Sequence, residues 1–192
     1  MDKYSRVANL VKEVYENSEQ WFGQWMWKHH VPVVAKKTEE LSERFGANLD
    51  IAVAGAWLHD FGDAFVHRNS KEHPLVTEEK SKKVLEKAGY STEEIKKVLE
   101  EVIAPHSCRD DFIPTTIEGK VMASADALAH FMTDFFVHFT WMHLPENKTF
   151  EEYRDWVAKK IDHDFHKKIF FDEVREEVRD RVATLKEVFG EK

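Results

Sequence analysis

The sequence predicts an all-α protein, a single globular bundle of seven or eight helices. Three observations predict it. Apolar residues recur at spacings of three and four along most of the chain, capping and terminating residues punctuate that pattern, and no stretch alternates apolar and polar residues with a period of two. At 192 residues the chain is long enough for one domain with a substantial core, and no Pro/Gly/Ser-rich linker or internal repeat divides it. Residues 1–192 therefore read as one domain.

Tyr4, Val7, Ala8, Leu10, Val11, Val14 and Tyr15 form the stripe of a first amphipathic helix that ends near Asn17-Ser18. A second helix is expected from about Trp25 to Phe45, stopped by Gly46, with Asn48 capping a third that runs through Phe61. Gly62 to Pro74 reads as a polar connector. Helical spacing resumes from Val76 to Ala88, stops at Gly89, and restarts after Ser91, which has capping-box spacing with Glu94. That helix should end near Pro105, leaving His106 to Thr116 irregular. Ile117 opens one long apolar segment through Trp141. Thr149 and Glu152 form another capping box, starting a helix toward His166, and a last helix spans about Asp172 to Phe189.

The formal net charge of -8 argues against a nucleic-acid coat or an anionic membrane surface as the main partner, although a basic patch inside a cleft would not show in this total. A small substrate fits better. The single cysteine, Cys108, rules out an intramolecular disulfide framework. With no basic-then-apolar leader and no apolar run long enough to span a bilayer, the chain reads as cytoplasmic, with no membrane partner. Two aromatic clusters, Trp21, Phe22, Trp25 and Trp27, then Phe131, Phe135, Phe136, Phe139 and Trp141, read as seals of the core or of a subunit contact in a homo-oligomer.

Chemistry concentrates at His59-Asp60. This pair closes the apolar, small-residue segment Ala52 to Leu58, where two polar side chains are more easily explained by a bound cation than by packing. Ligands in a helical bundle must come from several helices, because one helix offers only residues three or four apart to a common point. His30 shares the stripe of Val34 and Leu41 and is preferred to His29 on that spacing. His73 and His106 follow the doublet, and Asp126 stands among apolar neighbours, where a carboxylate requires a partner. Taken singly, each has an ordinary structural reading as a core or surface polar group.

In order and local context, His30, His59-Asp60 and Asp126 resemble the metal-binding signature of the HD superfamily of metal-dependent phosphohydrolases. Trp57-Leu58-His59-Asp60-Phe61-Gly62 is similar to that family's doublet segment, and Ala123 to Leu128 is similar to its downstream Asp segment. The resemblance covers about residues 28–130, with the helices from about 150 to 189 packed on that core. It implies that His30, His59, Asp60 and Asp126 coordinate a divalent metal. His73 and His106 stand in the order of two further histidines that some members use for a second metal, which would make Asp60 a bridging carboxylate, so one ion or two remains open. Asp63 stands where many members carry an acid or a lysine that helps catalysis.

A mixed histidine and carboxylate set suits Mn, Fe, Co, Ni or Zn better than Mg. Asp60 and Asp63 are the expected catalytic carboxylates, and Arg68, Lys71 and Arg109 are candidate contacts to a small phosphorylated substrate, nucleotides included. His130, one turn past Asp126, reads as a supporting group or a core histidine. Hydrolysis of a phosphate ester is the expected activity. A di-iron oxygenase of the same fold and a regulatory module without turnover are the alternatives.

Overall fold

A computed structural model describes residues 2–143 and 149–189, the side chains of 140–143 excepted, so the side chain of Trp141 lies outside the described residues. Among them the chain is helical with no strand. The helices are α1 (Lys3–Glu16), α2 (Trp21–His29), α3 (Val31–Phe45), α4 (Leu49–Leu58), α5 (His73–Ala88), α6 (Thr92–Lys96), α7 (Ile117–Met132), α8 (Phe135–His143), α9 (Phe150–His163) and α10 (Asp172–Phe189). A 3-10 turn, Phe61–Ala64, follows α4, and π-helical segments extend α6 over Lys97–Ile103 and α9 over Asp164–Lys168.

The capping signals act as expected. Gly46 and Gly89 end α3 and α5 in the left-handed conformation, at φ 73° and 86°, which costs glycine least. The Asn48 side chain accepts the Ile51 N–H, and both capping boxes, Ser91 with Glu94 and Thr149 with Glu152, are formed in both directions.

Two helices expected to be continuous are divided, and each division has a local cause. The expected Trp25–Phe45 helix breaks at His30, where φ is -129° and ψ -65°, and α3 begins with Pro32 in its first turn. A proline cannot donate to the carbonyl four residues back and its ring crowds that carbonyl, so the helix must restart there. The segment from Ile117 breaks at Thr133, whose hydroxyl donates to Ala129 O (2.6 Å) and accepts from Phe135 N (3.3 Å). That side chain ends α7 and starts α8 by taking over backbone hydrogen bonds. The third helix stops at Leu58 rather than Phe61, and α5 reaches back to His73.

Helices α3, α4 and α7 form the centre, with α3 packed on both others. Every residue of α7 from Val121 to Phe131 is buried, and α4 is buried along Ile51–Ala56 and at Leu58. An all-round apolar helix belongs inside, which is why polar residues near these two stand out. Helix α1 covers α4 and α5 through Val7, Val11 and Tyr15, and α9 and α10 pack on each other, with α10 also lying against α7. Close approach is decided at Gly23 of α2, where an added Cβ would lie 2.6 Å from Asp63 O and 3.1 Å from Ala64 Cα. Because both are backbone atoms of the 3-10 turn, they cannot step aside as a side-chain tip would. Gly23→Ala is therefore expected to lower stability by about 1–3 kcal/mol, measured as the shift in urea midpoint at unchanged slope; an unchanged midpoint would show that the turn yields.

Candidate metal centre

The helix break at His30, the end of α4 and the middle of α7 bring four buried side chains together in two overlapping groups, with His30 within metal-sharing distance of His59 and Asp60 on one side and of Asp126 on the other. His30, His59, Asp60 and Asp126 are each at most 4% exposed. The two imidazoles face each other, with His30 Nε2 and His59 Nε2 3.2 Å apart. Asp126 Oδ1 lies 3.0 Å from His30 Nε2 and 3.8 Å from His59 Nε2, and Asp60 Oδ2 lies 3.4 Å from His59 Nε2. A first-row divalent cation, about 2.0–2.2 Å from each donor, sets neighbouring donors roughly 3–3.5 Å apart. Three of these four spacings fall within that range.

The hydrogen bonds around the set agree with ligation. His59 Nδ1 donates to Ala56 O (2.8 Å), which leaves its Nε2 lone pair directed inward. Asp126 Oδ1 is buried amid imidazole nitrogens yet has no aligned hydrogen bond, and buried carboxylate oxygens are rarely left so. His30 differs from His59, since its Nδ1 is buried without a partner. Tyr15 OH donates to Asp60 O (2.9 Å) and anchors the doublet backbone.

Arginine and lysine hold the carboxylates ionised. Burial opposes the charge of Asp60, but Arg68, 2.8 Å away, and His59 outweigh it and keep its pKa well below the usual range. Burial likewise opposes the charge of Asp126, and Lys168, ion-paired to its Oδ2, drives its pKa far down. Burial, the largest cause, pushes His106 down to about 4, so this imidazole is neutral near pH 7. His106 Nδ1 donates to Ile103 O (2.6 Å), and its Nε2 lies 4.0 Å from Asp60 Oδ1 at the rim of the cluster.

Other expected site residues are placed differently. Asp63 is fully buried, with one oxygen on Arg68 and the other 2.9 Å from His73 Nε2, and it does not line the cleft described next. A carboxylate with both oxygens so engaged is placed to orient Arg68. His73 spends its Nε2 on that contact at the first turn of α5, where its carbonyl also accepts the Thr77 hydroxyl (2.8 Å). It is therefore not gathered with the doublet. His29 instead joins Asp134 and His138 in a separate, more exposed group.

A cleft of about 250 Å³ opens above the set. Its polar wall includes Arg68, Arg109, Lys159, Lys160 and Lys168, and its apolar wall Phe135, Phe139 and Trp156. Lys71 does not line it. Lys160 and Lys168 come from α9 and its π-helical extension, and with Asp164 they are the functional residues that sequence reasoning missed. A signal was present: Asp164 and Lys168 fall at inward positions of the stripe Val157, Ile161 and Phe165, where solvated charges do not belong.

Two outcomes test this centre. Asp126→Ala is expected to abolish metal retention in elemental analysis of the purified protein, whereas His106→Ala lowers the stoichiometry only if two ions bind; full retention in Asp126→Ala would remove the central ligand. Lys168→Met leaves Asp126 buried without its ammonium partner, so in EDTA it should cost about 3–5 kcal/mol of unfolding free energy. Added divalent metal should restore part of that loss by binding the folded state, and a denaturation midpoint equal to wild type in EDTA would contradict the pairing.

A family model described as HD domain matches residues 28–130, more than half of the chain. No curated protein matches the chain, and no solved structure does. The matched span begins two residues before His30 and ends four residues after Asp126, so it encloses the whole buried His/Asp set, and the chain belongs to the HD domain family.

Proposed function

We propose that this protein is a metal-dependent phosphohydrolase acting on a small phosphate ester, nucleotides included. The family suggests a metal-dependent hydrolase, and the observation that carries the finer reading is a cationic cleft directly above a buried set of divalent-metal donors. His30, His59, Asp60 and Asp126 would hold the ion. When bound, such a cation lends Lewis acidity to a phosphoryl oxygen and brings the pKa of a water toward neutrality.

The remaining work falls to this chain's own residues. Arg68 spans Asp60 and Asp63, which fixes the Asp60 carboxylate while its guanidinium lines the cleft. Arg109, Lys159, Lys160 and Lys168 supply charge-assisted donors suited to phosphate oxygens. On the opposite wall the Phe139 and Trp156 rings stack on each other, with centroids 5.0 Å apart and planes 10° apart, and offer an apolar surface to the organic part of an ester. The cleft volume suits a compact substrate, since pockets for drug-sized ligands are about 300–1,000 Å³. Engagement of His73 by Asp63 leaves a second ion fewer donors, which favours hydrolysis over di-iron oxidation.

The test is a screen of phosphate monoesters and nucleoside mono- and diphosphates with Mn, Co, Ni and Zn, run beside oxygen uptake by anaerobically iron-loaded protein. Phosphate release lost in Asp126→Ala is the expected result. Arg109→Ala should raise KM about tenfold with kcat nearly unchanged, as loss of one charged contact to bound substrate would. Oxygen consumption coupled to substrate loss, with no phosphate released, would reject the hydrolase reading.

A further inference from the structure

Resting on the reading of His30, His59, Asp60 and Asp126 as a metal site, we infer that His130 is an additional ligand of the same ion, oriented for that role by Asp164. His130 lies one turn past Asp126 on α7 and brings its Nε2 to 3.3 Å from Asp126 Oδ1. Its ring is parallel to that of His30, at a centroid distance of 5.0 Å and an angle of 8°, so the two imidazoles flank the same carboxylate oxygen. His30, Asp126 and His130 each offer a donor atom within 4.8 Å of the others, and all three are buried.

The far side of the ring supports the assignment. Asp164 Oδ2 accepts the Nδ1–H of His130 at 2.8 Å, and Asp164 is in turn held by Lys160 Nζ at 2.9 and 3.1 Å. A carboxylate on one imidazole nitrogen fixes the tautomer with the lone pair on the other, the arrangement that orients ligating histidines. Phe135 packs on the ring at 3.9 Å between centroids and keeps it from turning away. With the proton on Nδ1, the Nε2 lone pair faces a carboxylate oxygen that has no aligned hydrogen bond. Two lone pairs in a buried site repel unless a cation lies between them. An ordinary core histidine would pair with a donor or with solvent on that side. The family signature runs from His30 through the doublet to Asp126, and His130 extends it by one helical turn.

The experiment counts imidazoles on bound Cu2+ by pulsed EPR of the remote ring nitrogen, in His106→Gln to exclude the rim histidine and in His106→Gln/His130→Gln. Three imidazoles are expected in the first, from His30, His59 and His130, and two in the second. Two in the first protein would overturn the inference, and because that protein keeps His130, the result does not depend on the double variant folding. Zn2+ affinity, measured by chelator competition, should fall about 10–100-fold in Asp164→Asn, as loss of such a supporting carboxylate does. An affinity unchanged there would also overturn it, as would an imidazolium bridging Asp126 and Asp164 that leaves Cu2+ with two nitrogens. Absence of Cu2+ and Zn2+ binding by the wild-type protein would instead reject the metal site as a whole, and this ligand with it.

Discussion

The carboxylate of Asp126 is the constraint on which the rest of the structure depends. It lies in the middle of the most buried helix, where an unpaired charge costs several kcal/mol even after relaxation. Each neighbouring element answers that cost. The break between α2 and α3 turns His30 toward it, the next turn of α7 presents His130, and the π-helical end of α9 sends in Lys168. Around it, Asp60, Asp63, Asp126 and Asp164 meet Arg68, Lys160 and Lys168, which leaves one negative charge in excess when the imidazoles are neutral. Such a balance favours a cation at the point where the imidazole nitrogens converge.

The site is built from helix irregularities. Pro32 ends one helix so that His30 can face inward, and the Thr133 hydroxyl ends another so that Phe135 can fold over His130. The π-helical segments contribute in the same way: Ile103 ends one and holds His106 through its carbonyl, while Asp164 and Lys168 bound the other. A straight α-helix presents neighbours only at three- and four-residue spacing, so a compact site needs such interruptions to bring in donors from elsewhere.

Charge sign reverses between the whole chain and its cleft. The chain carries a formal net charge of -8, yet the wall above the buried His/Asp set is rich in arginine and lysine. The local field governs binding because a low-dielectric cleft strengthens nearby charges while solvent screens distant ones. An overall acidic protein can therefore present an attractive site to a phosphate.

The helical class, the caps and the His30, His59, Asp60 and Asp126 set were legible in the sequence, because each depends on local spacing or on a polar residue standing where only apolar ones belong. Ser91 with Glu94 and Thr149 with Glu152 needed no tertiary information, since a cap is satisfied within one turn. Tertiary structure alone decided which polar groups meet. His73 and Asp63 read as site residues by position, yet each neutralises the other's need for a partner, whereas Lys160, Asp164 and Lys168 lie more than thirty residues beyond Asp126 and join the cluster because the π-helical extension of α9 packs against α7, pairing Lys168 with Asp126 and Asp164 with His130 and Lys160. Periodicity reports which face of a helix is buried. Pairing of buried charges depends on the distances between helices far apart in the chain, and those distances exist only once the core has packed.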